Sequence, residues 1–246
     1  MNFYQMTDNR KIFLSADWEN LIMINYEVDP KILLPFLPKY TQLDQFESKT
    51  LVSVVGFLFK NAKVFGLRWP WHTTFEEVNL RFYVKHFTGK EWRRGVVFVS
   101  EIVPKTIIAN AASILYHEPY ITRPMRHQFL IEDDLFKVQY QWKNKGKWNN
   151  IHVTAETSLN NIEGNSAEEF IFEHYWGYNK FNDIKTVEYG VEHITWQTHK
   201  IKSWTLDCDI ENIYGAHFLP FLSAEPHSVF MAKGSPVIIR KPKYIT

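Results

Sequence analysis

The residues whose types and spacing could do chemistry fall in one stretch, residues 75–86, FEEVNLRFYVKH. Glu77, Asn79, Arg81 and Tyr83 recur at every second position, with Val78, Leu80, Phe82 and Val84 between them. A period of two marks a β-strand with one apolar face. The opposite face then carries an acid, an amide, a guanidinium and a phenol in a row. Same-face neighbours on a strand are about 6.6 Å apart, so Glu77 and Arg81 sit about 13 Å apart and do not pair directly. A ligand between them would be gripped by Arg81 through a carboxylate or phosphate. Glu77, once buried, would titrate near neutrality and move protons. The plainer reading is a surface strand whose charges pair with Arg94 or Glu101 on a neighbouring strand. The pattern alone favours that plainer reading.

A second set of functional side chains lies in residues 117–126, HEPYITRPMR, a loop stiffened by Pro119 and Pro124. His117, Glu118, Tyr120 and Arg123 are its candidates for a site. His117-Glu118 followed by His127 is the nearest approach to a metal-ligand set; there is no HExxH pair and no cysteine cluster, so no metal site is read here. Nucleophilic and phosphate-binding motifs of the GxSxG and GxGxxG kinds are missing. Cys208 sits between Asp207 and Asp209, whose charges disfavour a thiolate.

These residues need a scaffold that holds strands side by side. The chain has 246 residues with 16% aromatics and 45% hydrophobics, enough for a sizeable core rich in strand formers. Residues 21–28, 51–59, 75–86, 95–103, 128–131, 135–142, 148–158, 187–194 and 204–210 read as strands. The segment 51–59, LVSVVGFLF, is apolar on both faces and belongs in the middle of a covered sheet. Residues 30–37, 105–116, 167–175 and 213–222 read as helices, the second with a face of Ile108, Ala111, Ala112 and Leu115. Trp176-Gly177-Tyr178 is expected to end the third. Residues 228–232 and 236–240 read as a hairpin turning at Lys233-Gly234. One domain over residues 1–246, with residues 1–15 as an arm, is the economical arrangement: a strand-rich barrel with short helices packed on it.

A net charge of +1 offers no basic stripe for nucleic acid. One cysteine excludes an internal disulfide, and neither a signal peptide nor an 18-residue apolar run is seen, so a soluble cytoplasmic protein without membrane contact is expected.

The runs LIMINYEVDP, VSVVGFLF, FEEVNLRFYV, RRGVVFVSEIVP, LYHEPY with RPMRH, EHYWGY and SVFMAKGS occur in order from about Ala16 to Pro242. Together they resemble the YqjF-like family of uncharacterised bacterial proteins, which is similar in fold to the acetoacetate decarboxylase superfamily. The resemblance implies a closed, mainly antiparallel β-barrel of acetoacetate decarboxylase-like type, mainly β (α+β), with short helices over its openings and a pocket inside. Phe75-Glu76-Glu77 resembles the tyrosine-x-glutamate motif that places an acid in that pocket. The decarboxylases follow a helix with Gly-aromatic-Pro-Lys-Lys, whose lysine forms the Schiff base; here Pro119 matches, but the lysine positions read Tyr120 and Ile121. Without that amine no imine forms, so acetoacetate decarboxylase activity is not expected.

Three readings follow. The first is a protein that binds or senses a small organic ligand, with Glu77, Asn79, Arg81, Tyr83, His117, Glu118, Tyr120 and Arg123 around the pocket and no cofactor. The second is a non-imine acid–base enzyme (lyase, hydratase or isomerase) acting on a carbonyl or carboxylate compound. There Glu77 is the base, Tyr120 or His117 the acid, and Arg81 the anchor. The third is a structural or interaction role, with Trp69, Trp71 and Trp176 at an interface. Homo-oligomerisation is compatible with each.

Overall fold

The computed structural model of the chain describes residues 10–68, 73–106, 113 and 115–246. The expected arm over residues 1–9, Trp69, Trp71 and most of the expected helix 105–116 lie outside the described residues. In chain order the strands are β1 (Ile12–Glu27), β2 (Gln42–Leu43), β3 (Leu51–Val64), β4 (Phe75–Phe87), β5 (Trp92–Val103), β6 (Tyr120–Thr122) and β7 (Met125–Glu132). They continue with β8 (Leu135–Asn144), β9 (Lys147–Asn161), β10 (Trp176–Lys180), β11 (Thr186–Glu192), β12 (Gln197–Asp207), β13 (Ser228–Arg240) and β14 (Lys243–Ile245). Short helices are α1 (Ala167–Phe172), α2 (Ile210–Tyr214) and α3 (Leu219–Leu222), with 3-10 turns at Pro30–Phe36 and Ala216–Phe218. The fold is mostly β.

Seven of these strands close on themselves. The order β11-β10-β5-β4-β3-β1-β13 returns to β11 through Val191↔Ile239 and Glu192↔Ile238. The Arg240 guanidinium clamps that seam, donating to both oxygens of Glu192 at 2.6 and 3.2 Å. From β13 the sheet runs on through β12, β9, β8 and β7.

This topology makes two cores. Val78, Leu80, Phe82 and Val84 of β4 join Ile22, Ile24, Val52 and Val54 in the outer one, packed with Val138, Tyr140, Trp142, Ile151 and Val153 of β8 and β9. These four residues were expected to meet covering helices. They meet mainly the β8–β9 strands, with Tyr214, Phe218 and Leu222 of the C-terminal helical segment alongside. The inner core holds Leu21, Met23, Val55, Phe57, Phe59, Phe75 and Val237, and α1 contributes Phe170, Ile171 and Phe172 to it. Ser166 caps α1 by accepting from the Glu169 amide, and Glu169 returns the bond to the Asn165 amide.

Three expectations are corrected. β1 starts at Ile12, inside the stretch read as an arm, because its first residues pair with β13 and β3. β13 is one continuous strand rather than a hairpin. A two-residue hairpin turn of either favoured type at Lys233-Gly234 needs a left-handed Lys233, and here only Gly234 (φ 85°) has a positive φ, opposite Glu19 in the β1–β13 ladder. Trp176-Gly177-Tyr178 is not a helix end but the start of β10, which pairs in parallel with β5 and antiparallel with β11. Gly177 is required there, since a Cβ would fall about 2.0 Å from the Tyr189 ring. Trp176 itself is buried beneath Arg93, whose guanidinium carbon lies 4.1 Å from the ring centroid, and so is not available to an interface.

Candidate functional site

The alternation of β4 decides which side chains enter the ring. Glu77, Asn79 and Arg81 point inward and line a cavity of about 80 Å³. Leu14, Trp18, Val55, Phe57, Phe59, Phe75, Phe98 and Ile239 make its walls largely apolar. That is room on the order of five waters, or one small organic molecule.

Further carboxyls and phenols arrive from other elements. Glu101 of β5 enters because Val99 is skipped in the β4–β5 register: Leu80 pairs with Ser100 and Arg81 with Phe98. Tyr120 lies opposite Glu101 in the parallel β5–β6 ladder. Glu118 is presented just before β6, its carbonyl accepting from the Ser113 hydroxyl and the Tyr120 amide. Tyr189 comes from β11 and donates to Glu118.

The hydrogen bonds among these groups are few. The Asn79 amide donates to Glu77 at 2.9 Å, and the Tyr120 hydroxyl donates to the other Glu77 oxygen at 3.4 Å. Arg81 Nη2 donates to the Ile171 carbonyl of α1 at 3.4 Å and lies 3.7 Å from Met23 Sδ. Asn79 Oδ1, Arg81 Nε and Glu101 Oε2 are buried with no hydrogen-bond partner among the described residues.

Burial dominates the titration of the three acids. It pushes the Glu77 carboxyl up to about 7, against the opposing pull of Asn79, Tyr120 and Arg81. Burial also raises Glu118 to about 8, with the Tyr189 hydroxyl opposing and the Glu77 charge adding to the rise. Glu101 is held well above the ordinary carboxyl range by burial and then by the charges of Glu118 and Glu77. Tyr120 and Tyr189 are likewise raised by burial and by the surrounding acids. At neutral pH the cluster is a store of protons beside a single guanidinium.

Of the residues singled out from the sequence, Glu77, Asn79, Arg81, Glu118 and Tyr120 meet in this cavity. Three others lie elsewhere. Tyr83 faces inward but beyond the cavity, against Phe170 of α1, with its hydroxyl 2.5 Å from Ser53 Oγ. His117 adopts a left-handed backbone (φ 55°) and turns its exposed ring outward onto Phe181. Arg123 follows the end of β6 and donates to Asn144 and the Thr122 carbonyl. Glu101, Tyr116 and Tyr189 complete its polar lining among the described residues. No lysine lines the cavity, and the residues outside the described set contain none. Lys85 pairs with Asp44 at 3.9 Å and lies over Trp92. Among the described residues no group of three or more His, Cys, Asp or Glu side chains is arranged to hold a metal ion. No helix there is long and apolar enough to cross a membrane.

The same chain matches a family model, DUF2071, described as "Uncharacterized conserved protein (COG2071)", over residues 15–236. The chain belongs to this family. A relative is the "Uncharacterized protein YqjF" of Bacillus subtilis (strain 168), 27% identical over 112 residues, an alignment spanning 45% of either chain and thus less than half of that protein. In fold the chain is similar to acetoacetate decarboxylase from Legionella pneumophila, with TM-score 0.63 and 13% identity over 100% of this chain and 92% of that one. It is also similar to the enduracididine biosynthesis enzyme MppR complexed with pyruvate, with TM-score 0.67 and 11% identity over 99% and 93%. An acetoacetate decarboxylase-like enzyme from Sphingomonas wittichii RW1 gives TM-score 0.63 at 12% identity over 96% and 94%. These likenesses establish an acetoacetate decarboxylase-like fold.

Proposed function

We propose that this protein binds a small organic molecule, with an apolar body and one polar head, inside the seven-strand ring. The observation that carries the reading is the set of buried, unmatched polar atoms in the cavity wall: Asn79 Oδ1, Arg81 Nε and Glu101 Oε2. Each costs about 1–3 kcal/mol if left unsatisfied, so their grouping around one void points to a partner that supplies the bonds. On this reading the ring serves as a closed barrel with its site in the lumen, and residues 1–246 work as a single cytoplasmic domain. Imine chemistry is not part of the proposal, because no lysine is among the described residues that line the cavity.

One geometric feature favours a second reading, acid–base catalysis on the bound molecule. Glu77, poised at about 7, shares a hydrogen bond with the Tyr120 phenol at the cavity edge, an acceptor and a donor within reach of one substrate.

The test is a screen of small organic molecules by thermal unfolding, repeated on Val55→Phe, which fills the cavity. Stabilisation of the wild type that disappears in the variant supports binding in the ring. Turnover of a stabilising compound, lost in Glu77→Gln, would promote the second reading. Stabilisation that survives Val55→Phe would place the ligand outside the ring and end the first.

A further inference from the structure

We propose that the molecule held in the ring is a small organic cation, an ammonium on a short apolar body, with its nitrogen on the side of the cavity that carries Glu101 and Glu118. This rests on the reading of the cavity as a binding site and names the chemistry of the occupant. Three carboxyls converge there, each at least nine-tenths buried, and Arg81 is the only cationic side chain among the lining residues. Its Nη2 is turned towards the Ile171 carbonyl and Met23 Sδ. One guanidinium can balance one carboxylate, so two acids lack a counter-charge.

Without a second cation, burial lets those acids keep their protons. A bound ammonium removes the need. It brings the missing positive charge and N–H donors, and two oxygens of lining residues, Asn79 Oδ1 and Glu101 Oε2, lack donors. An anion could use Arg81 Nε but would leave the two unmatched oxygens, which need donors, unsatisfied. The walls agree: Trp18, Phe57, Phe59 and Phe75 form one aromatic run, with successive centroids 5.1, 5.0 and 4.6 Å apart. Aromatic surface stabilises desolvated cations. The other titratable groups facing the acids are the phenols Tyr116, Tyr120 and Tyr189, with Arg10 acting on Tyr116 from beyond the cavity. None supplies a second positive charge within the lining.

The experiment compares n-butylamine, butyrate and butyramide, matched in length and differing in charge. Thermal unfolding reads binding, and calorimetry in two buffers of different ionisation enthalpy reads protons. n-Butylamine is expected to raise the unfolding midpoint, and its binding to release protons from the acid cluster. Glu101→Gln and Glu118→Gln, near-isosteric changes that keep the fold, are expected to weaken it by at least about tenfold. Stabilisation by butyrate or butyramide, with none from the amine, would leave the cavity a binding site and overturn the cation. Amine binding of equal strength in both glutamine variants would overturn it too, by placing the amine elsewhere. If no probe acts on the wild type, the cation and the binding reading fall together.

Discussion

Glu118→Gln gives the sharpest physical test of the acid cluster. Glu118 is buried and its carboxyl sits at about 8, against 4.5 when free. The folded state therefore prefers the protonated acid. Below the free value both states are protonated and the fold loses nothing. As pH rises above 4.5 the unfolded chain ionises first, and stability falls until the folded acid ionises at about 8. The difference between the two values corresponds to about 5 kcal/mol. Glutamine cannot ionise, so the variant escapes the penalty. The assay is urea unfolding of both proteins from pH 4 to pH 9. Burial holds His174 and His193 down to about 4, so they add stability as pH rises towards 6.5. They act equally in both proteins, which makes the difference between the two curves the observable. The variant should gain on the wild type by several kcal/mol between pH 4.5 and pH 8. A difference independent of pH would show that Glu118 is ionised in the fold and would refute the account of the cluster.

Other changes probe the scaffold and the chemistry. Leu80→Ala, in the middle of the outer core, is expected to cost about 2–5 kcal/mol by chemical denaturation. Gly234→Ala should cost about 1–3 kcal/mol from the left-handed backbone alone, and more because its Cβ would strike the Trp18 carbonyl; an unchanged midpoint would refute that left-handed close approach. Acetoacetate with borohydride is expected to leave the protein mass unchanged. An adduct on Lys85 would show that the Asp44 pairing releases the amine to the cavity.

What could be read from the sequence is what local periodicity encodes. Glu77, Asn79 and Arg81 were legible because β4 alternates without a break over those positions. Glu118 and Tyr120 were legible as polar side chains of a proline-stiffened loop, and the resemblance matched that loop to the pocket. Glu101 was legible only as a pairing partner. Strict alternation sets it on the opposite face from Phe98, and the skipped residue Val99 brings both to the cavity. Tyr189 enters through the closing of the ring, β11 on β13, a pairing that no local pattern announces. The misread Lys233-Gly234 shows the same limit. A lysine–glycine pair suits a turn, but the long β1 partner running opposite keeps the strand going.

The β1–β13 ladder has a consequence for how the protein comes into being. It joins Ile12 to Arg240 and Asn25 to Ser228, residues more than two hundred positions apart. On a ribosome, β1 and β3–β5 emerge long before the strand that completes their sheet. Until β13 arrives, the apolar edge of β1 is an open template for any passing strand. Such distant pairing makes for slow folding and a long exposure to aggregation. β13 thus acts as the latch on the whole assembly. Nascent chains stalled before β13 should stay protease-sensitive along β1 and engage holding chaperones, and release of the full chain should end both.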